Sequence, residues 1–147
     1  MGCFECSEQL TAIHMLETGE CTCVLCHGVR CITTQQRGVK PLVQWLREAK
    51  VKPGFSAADR VVGKATAFLY CLLGAKAVYG KVMSRSAKET LEVHNIHVQY
   101  TILTEYIENR TKTGMCPFEE AVLDITEPEQ ALIAIYSKMK ELGIDMQ

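Results

Sequence analysis

FSAADRVVGKATAFLYCLLG, the stretch from Phe55 to Gly74, decides the fold. It begins polar, and from Ala65 to Leu73 it is apolar at almost every position. We interpret it as one long helix, because Ser56 and Asp59 fit a capping box at its start and Gly74 suits a left-handed stop at its end. A helix that is apolar on most sides must be covered on several of them. It is therefore predicted to be the central helix of a layered domain.

The length and charge of the chain limit the classes of function. With 147 residues the chain fits one domain, predicted to span residues 1–147 with a core at about 7–143. The net charge of −1 provides no basic field for a phosphate backbone, so nucleic acid is not an expected partner. No apolar run approaches the roughly 20 residues of a membrane span, and the N-terminus lacks the pattern of an export signal. We expect a cytoplasmic protein without a membrane partner.

The clearest hairpin signal is CTCVLCHGVRCITT, residues 21–34. Two β-prone runs flank a turn at His27-Gly28, where glycine allows the positive φ of a tight turn. Pairing about this turn gives two faces that are both partly apolar, so helices are expected above and below the sheet. The first face carries Thr22, Val24, Cys26, Val29, Cys31 and Thr33, and the second carries Cys21, Cys23, Leu25, Arg30, Ile32 and Thr34.

The eight cysteines raise the alternatives of a disulfide framework and a metal site. No export signal accompanies them, so reduced thiols are expected. Cys3-x-x-Cys6 with Cys21-x-Cys23 could supply four thiolates, but the spacing of a zinc ribbon is missing. We therefore predict no metal and interpret the cysteines as small buried residues. The eight are Cys3, Cys6, Cys21, Cys23, Cys26, Cys31, Cys71 and Cys116.

The remaining pattern alternates helices and strands. Strands are predicted at Ala77 to Met83 and from Ile96 to Thr101, joined by a helix that Ser86 and Glu89 cap. A strand, helix and strand with short joins favour a right-handed parallel crossover. Other helices are predicted from Ser7 to Leu16, after Pro41, from Thr104 through Arg110, at Pro117 and from Thr126 to Gly143.

Three phrases together resemble an uncharacterised bacterial family of unknown function that is assigned to the cytidine deaminase-like fold. They are RGVKPL at residues 37–42, DRVVGKATA at residues 59–67 and GMCPFEEAVLDI at residues 114–125. The resemblance implies a three-layer α/β/α domain. Its mixed sheet would contain a hairpin and parallel crossover strands, in agreement with the pattern of the sequence.

The resemblance does not imply the chemistry of the catalytic deaminases. Those enzymes carry His-x-Glu at one helix start and Pro-Cys-x-x-Cys at the next. Residues 59–64 and 84–88 occupy these places here, and no histidine of the chain has a glutamate two residues on. Without three nitrogen or sulfur ligands there is no zinc ion to activate water. The sequence therefore disfavours zinc-dependent deamination, predicts no cofactor and leaves open whether the protein is an enzyme.

Four residues of the deciding stretch are candidates for a ligand site. Arg60 and Lys64, four apart on the predicted helix, could hold a phosphate or carboxylate beside Gly63, whose missing side chain leaves room. Lys64 could equally carry its charge along apolar surface to water. Asp59 is either an acid at the helix start or a general base in the pocket.

Cys116 is the remaining candidate. It precedes Pro117, so its sulfur could lie near the free N–H groups of a helix start, which favour the thiolate. Glu119 and Glu120 add negative charge that opposes this effect. The alternative is a small residue in a tight turn.

These observations lead to two hypotheses. In the first, a zinc-independent protein of the deaminase fold binds, and can transform, a small nucleotide-like or anionic metabolite. Asp59, Lys64 and Cys116 are its candidate catalytic residues, and Arg60, Gly63 and Lys64 are its ligand-binding residues. In the second, the same residues serve a non-catalytic ligand-sensing or assembly module. The sequence does not determine an oligomeric state.

Overall fold

The computed structural model describes residues 3–109 and 111–144, with side chains from residue 7 onward. Five strands and six helices lie in these parts of the chain. The strands are β1 (Cys23–His27), β2 (Arg30–Thr34), β3 (Ser56–Val62), β4 (Ala77–Ser84) and β5 (His97–Thr104). The helices are α1 (Cys3–Thr18), α2 (Lys40–Glu48), α3 (Lys64–Leu73), α4 (Arg85–Val93), α5 (Pro117–Ala121) and α6 (Pro128–Glu141).

The five strands form one mixed sheet in the order β2-β1-β3-β4-β5. The hairpin strand β1 pairs antiparallel with both β2 and β3. Strands β3, β4 and β5 are parallel neighbours, and a helix follows each of the first two. Parallel pairing of the two strands that the sequence placed around α4 is thus confirmed.

The paired residues of the hairpin lie on the predicted faces of the sheet, but the turn lies one residue later than predicted. His27 pairs with Arg30, so the loop consists of Gly28 and Val29. Gly28 has a φ of 63°, a conformation that glycine adopts at little cost. The pairing places Cys26 directly opposite Cys31.

The expectation of reduced thiols is wrong for this pair, because Cys26 and Cys31 form a disulfide across the two strands. Their Cα atoms lie 4.2 Å apart, the close approach of side chains facing each other on one sheet face. Within the described residues Cys21, Cys23, Cys71 and Cys116 are free thiols.

The single long helix predicted from Phe55 to Gly74 is wrong, because its first half is the central strand β3. Ser56, Ala57 and Ala58 are fully buried there between β1 and β4. Helix propensity is a weak preference that pairing on both sides of a strand overrides. The capping box of Ser56 and Asp59 therefore does not exist. The apolar half of the stretch is helical, and it ends as predicted at Gly74 with a φ of 90°.

Two further local predictions are corrected. Ser84, not Ser86, caps α4 by accepting a hydrogen bond from the Ala87 N–H at 3.1 Å. No helix begins at Thr104, because β5 extends to that residue to match the length of β4. A loop follows it, and Arg110, the predicted end of that helix, lies outside the described residues.

Helices cover both faces of the sheet. Helix α1 packs on one face, against β1, β3 and β4. The other face meets the larger core, in which α3 contacts α2, α4, α5 and α6. No helix in the described ranges is both long and apolar enough to cross a membrane. This arrangement leaves the start of α3 beside the ends of β3 and β4.

Candidate functional site

A cavity of about 1090 Å³ lies beside the end of β3 and the start of α3. Ligand sites in proteins typically have volumes of about 300–1,000 Å³, so this space is large enough for a small metabolite. Five parts of the chain form most of its wall. They are Thr22 and Cys23, residues within 36–42, the end of β3 with Gly63, Ala65 and Thr66 of α3, and residues within 104–119.

Asp59 is held in the cavity wall by a buried tyrosine. The hydroxyl group of Tyr70, on α3, donates a hydrogen bond to Oδ2 of Asp59 at 2.8 Å. The sulfur of Cys23 lies 3.1 Å from the same hydroxyl. Cys23 and Asp59 are paired across β1 and β3, and both line the cavity. The three side chains therefore form one polar cluster between the sheet and α3.

Burial raises the pKa values of the three side chains in this cluster. Removal from water raises the pKa of the Asp59 carboxyl from 3.8 to about 6, although hydrogen bonds from Tyr70 and from the amides of Val61 and Arg60 oppose the rise. Burial also raises the pKa values of Tyr70 and of the Cys23 thiol, and the Asp59 charge adds to both effects. Asp59 is consequently the group of this cluster whose pKa lies closest to neutral pH.

Glu119 contributes to the site although it was not among the predicted site residues. Its side chain is only 5% exposed, and its carboxylate accepts a hydrogen bond from the backbone N–H of Lys64 at the start of α3. The Ala65 and Ile107 amides and the Ser84 hydroxyl also donate to it. The carboxylate thus takes up N–H groups that a helix start leaves without intrahelical partners.

The position of Glu119 explains why residue 63, which caps α3, is a glycine. A Cβ atom on residue 63 would lie 2.7 Å from Oε2 of Glu119 and 3.1 Å from Cγ1 of Ile107. The absence of a side chain therefore makes room for a carboxylate of the same chain. Burial raises the pKa of Glu119, and the hydrogen bonds from the Lys64, Ala65 and Ile107 amides and from Ser84 oppose that rise.

Cys116 lies at the start of α5 and lines the same cavity as Asp59. Its backbone N–H donates to the carbonyl of Ile107 at 2.8 Å, which closes the loop that follows β5. Its thiol is partly exposed and free. Cys116 and Asp59 therefore face one space, although 57 residues separate them in the sequence.

Lys64 does not line the cavity. Its ammonium group donates to the carbonyl of Leu123 at 2.9 Å and lies 5.8 Å from the centre of the Phe68 ring. The predicted helix face shared with Arg60 does not exist, because Arg60 belongs to β3 and Lys64 begins α3. The backbone of Lys64 nevertheless contributes to the site by binding Glu119.

Three cations contribute to the cavity wall. Arg60 extends from β3, Arg37 precedes α2, and Lys112 lies in the loop before α5. Each is partly or fully exposed, and none takes part in the ion pairs found within the described residues. They form the positively charged part of a wall that also contains Asp59, Glu108 and Glu119.

The structure thus brings four of the predicted site residues to one cavity: Asp59, Arg60, Gly63 and Cys116. A tyrosine inside an otherwise apolar helix was the available signal for Tyr70, since a buried hydroxyl requires a partner. No local signal distinguishes Glu119 from its exposed neighbour Glu120. Arg37 could have been found through the RGVKPL phrase that contains it.

No group of three histidine, cysteine, aspartate or glutamate side chains within the described residues could hold a metal ion. The side chains of Cys3 and Cys6, which belong to the thiolate alternative, lie outside them.

Comparisons with known proteins place the chain in a family. The model of TM1506, a domain of unknown function (DUF1893), matches residues 11–139. The crystal structure of a DUF1893 family protein (TM1506) from Thermotoga maritima matches with a TM-score of 0.82 at 23% sequence identity, over 90% of each chain. At that identity the match demonstrates a shared fold. No curated protein matches the sequence. The chain therefore belongs to the DUF1893 family of uncharacterised domains.

Proposed function

We propose that this protein binds a small anionic, nucleotide-like metabolite in the cavity beside β3 and α3, without zinc. The observation that carries the proposal is that Arg37, Arg60 and Lys112 all line one large cavity. Guanidinium groups pair with phosphate or carboxylate through two parallel hydrogen bonds, and an ammonium group adds a point charge. Apolar residues such as Val61 and Phe118 line the same space and would contact a base or another flat group.

The proposal includes a cytidine deaminase-like fold. Support comes from the hairpin followed by three parallel strands that two crossover helices join, with helices on both faces of the sheet. The cavity adjoins the start of α3, one of the two helix starts from which deaminases of that fold hold zinc. Gly63, Lys64 and Ala65 stand there in place of a His-x-Glu motif, and the carboxylate of Glu119 binds the helix start. This supports binding without zinc-dependent deamination.

Two groups in the wall are suited to chemistry on the ligand. A carboxyl with a pKa of about 6, as at Asp59, can accept a proton near neutral pH. A free thiol such as Cys116 is a potential nucleophile. The proposal assigns catalysis to these two residues. Lys64 keeps a positioning role through its N–H bond to Glu119, since its ammonium group is bound elsewhere.

A thermal-shift screen with nucleoside monophosphates, nucleoside diphosphates and sugar phosphates tests the proposal. A ligand that binds only the folded state raises the melting temperature, by an amount that grows with the logarithm of the ligand concentration relative to Kd. We expect at least one compound to stabilise the wild type. Arg60→Ala should weaken its affinity about tenfold or more, because a charge-assisted hydrogen bond is lost.

Arg47→Ala is the matched control, because Arg47 is exposed on α2 and does not line the cavity. It removes the same charge and should leave the affinity unchanged. A screen without a stabilising compound would contradict the proposal. So would a compound that stabilises wild type and Arg60→Ala equally.

The alternative role as an assembly module is favoured by a different observation. Strand β5 is a sheet edge without a charged residue between His97 and Thr104. Residues 97–103 do not line the cavity, so assembly and ligand binding are compatible.

A further inference from the structure

The loop between β5 and α5 is a paired ribbon in the cavity wall. Glu108 and Met115 form an antiparallel bridge across it. One residue further along, the Asn109 N–H donates a hydrogen bond to the Gly114 carbonyl at 2.8 Å. The two sides of the loop therefore hold each other in place, as the strands of a hairpin do. The backbone that presents the side chains of this loop to the cavity is consequently held in place.

Asn109 also holds the tip of this loop. Its side-chain oxygen accepts hydrogen bonds from the Thr113 N–H at 3.0 Å and from the Thr111 hydroxyl at 3.2 Å. The Lys112 N–H donates to the Asn109 carbonyl at 3.1 Å, and Lys112 has a φ of 58°. A residue other than glycine keeps that left-handed conformation only where its surroundings hold it. The loop thus carries Lys112, one of the three cations of the cavity wall, at a fixed tip.

An aromatic side chain lies where the same loop leaves β5. Tyr106 lines the cavity and is 40% exposed. Val61 and Leu142 line the same cavity and are 45% and 47% exposed. Large apolar side chains that stay exposed inside a cavity offer contact area to a ligand. A tyrosine ring is also a flat surface on which a nucleobase can stack, whatever its sequence of polar groups.

The charges of the wall limit the kind of ligand that fits. Asp59, Glu108 and Glu119 line the cavity together with its three cations. A ligand that is anionic along its whole length would therefore meet repulsion as well as attraction. A ligand with one anionic end and a neutral, flat remainder would meet the cations with the first and the apolar side chains with the second.

We infer that the ligand is a nucleotide whose base stacks on the ring of Tyr106 and whose phosphate pairs with cations of the wall. This inference rests on the proposed function and narrows its ligand from anionic metabolites to those that carry an aromatic base. Sugar phosphates, which lack the flat ring, are excluded as tight ligands. Tyr106 is thereby a specificity-determining residue, because it distinguishes ligands by the group attached to the sugar phosphate.

Isothermal titration calorimetry with ribose 5-phosphate and with adenosine, guanosine, cytidine and uridine monophosphates tests the inference. Each nucleotide differs from ribose 5-phosphate by its base, so the ratio of the two affinities isolates the contact of the base. The wild type should bind at least one nucleotide about tenfold more tightly than ribose 5-phosphate. Tyr106→Ala should weaken the affinity for that nucleotide about tenfold and leave the affinity for ribose 5-phosphate unchanged. Tyr106→Phe keeps the ring and should keep both affinities.

Tyr100→Ala is the matched control, because Tyr100 is also 40% exposed but lies on β5 and does not line the cavity. It removes the same side chain and should leave both affinities unchanged. Arg60→Ala should weaken the nucleotide and ribose 5-phosphate by the same factor, since both carry the phosphate. Circular dichroism verifies that each variant is folded.

Failure of the inference differs from failure of the proposed function. If nucleotides and ribose 5-phosphate bind equally well and Arg60→Ala weakens both, the anion site stands and stacking on Tyr106 is overturned. A folded Tyr106→Ala variant that binds the nucleotide as the wild type does would also overturn it, as would equal losses in Tyr106→Ala and Tyr106→Phe. If no compound binds the wild type, the proposed function itself fails, and the inference fails with it.

Discussion

The carboxyl group of Glu119 occupies the space that a side chain on residue 63 would need, 2.7 Å from the Cβ position of Gly63. The same carboxylate accepts a hydrogen bond from the Lys64 N–H, which joins α5 to the first turn of α3 across 55 residues of sequence. Glu119 and Gly63 both line the cavity, so their contact fixes part of its wall.

Gly63→Ala should lower the free energy of unfolding by about 1–3 kcal/mol, the usual cost of an added methyl group in a filled space. The reason is steric, since the methyl group would displace Glu119 and press on Ile107. Urea denaturation measures the change. Gly114→Ala is the control, because its Cβ would meet nothing within 4 Å. Equal effects of the two substitutions would contradict the role of the Glu119 contact.

Asp59→Asn should stabilise the protein increasingly as the pH rises. The pKa of Asp59 is higher in the folded state, so the folded protein binds this proton more tightly and wild-type stability falls as the pH rises from about 4 through 6. Asparagine does not titrate. The free energy of unfolding of Asp59→Asn, relative to that of the wild type, should therefore rise by about 1–3 kcal/mol between pH 4 and pH 8, in keeping with the size of the pKa shift. An advantage independent of pH would contradict the folded-state pKa near 6.

Tyr70→Phe should raise the pKa of Asp59 above its wild-type value. The Tyr70 hydroxyl stabilises the ionised carboxylate through the 2.8 Å hydrogen bond, and phenylalanine removes that bond while keeping the ring. Carbon-13 NMR of the aspartate carboxyls as a function of pH measures the shift directly. Tyr79→Phe, which changes a hydroxyl that contacts Thr101 on β5, should leave the titration of Asp59 unchanged. A pKa of Asp59 that stays constant or falls in Tyr70→Phe would refute this role of the hydroxyl.

Glu8→Ala should destabilise the protein by about 1–3 kcal/mol, because it leaves partly buried partners without their acceptor. Glu8 is 12% exposed and joins α1 to Lys76 at 2.7 Å, to the Gly28 amide and to Ser56. The pKa of Glu8 is lowered: burial opposes the shift, but Lys76 and the Gly28 amide outweigh it. Its stabilising effect is thus present above about pH 4.5 and is lost as the pH falls through the folded pKa.

Urea denaturation at pH 7 and at low pH measures both parts of this prediction. Glu17→Ala serves as the control, since Glu17 is exposed on the same helix. A loss of stability at pH 7 no greater than that of the control would contradict the proposed role of Glu8.

Local patterns in the sequence predicted much of the sheet and its helices. Strands β4 and β5, their parallel pairing and the two faces of the hairpin follow from alternation and turn residues, which act over a few positions. The same approach did not identify β3 as a strand, because a central strand buried on both faces shows no alternation of polar and apolar residues. The Val61-Val62-Gly63 sequence was its best signal, since branched residues favour strands and glycine interrupts a helix.

The site was less predictable because its contacts join distant parts of the chain. Asp59, Arg60, Gly63 and Cys116 were identified by residue type, and the fold brings them to one cavity. The direction of the Lys64 side chain depends on the Leu123 carbonyl, which only the folded chain brings near. Glu119 likewise reaches the start of α3 only because the folded chain brings the two together. The Cys26–Cys31 pair depends on the strand register, which the position of the turn sets.

The central claim is that the cavity beside β3 and α3 binds an anionic, nucleotide-like ligand. The most direct measurement is two-dimensional amide NMR of the labelled protein during titration with adenosine diphosphate at up to millimolar concentration. We expect saturable shifts at the amides of Arg37, Arg60 and Lys112 and at Gly63, with unchanged signals in α1 on the opposite face of the sheet. Absence of shifts, or shifts confined to residues outside the cavity, would contradict the claim.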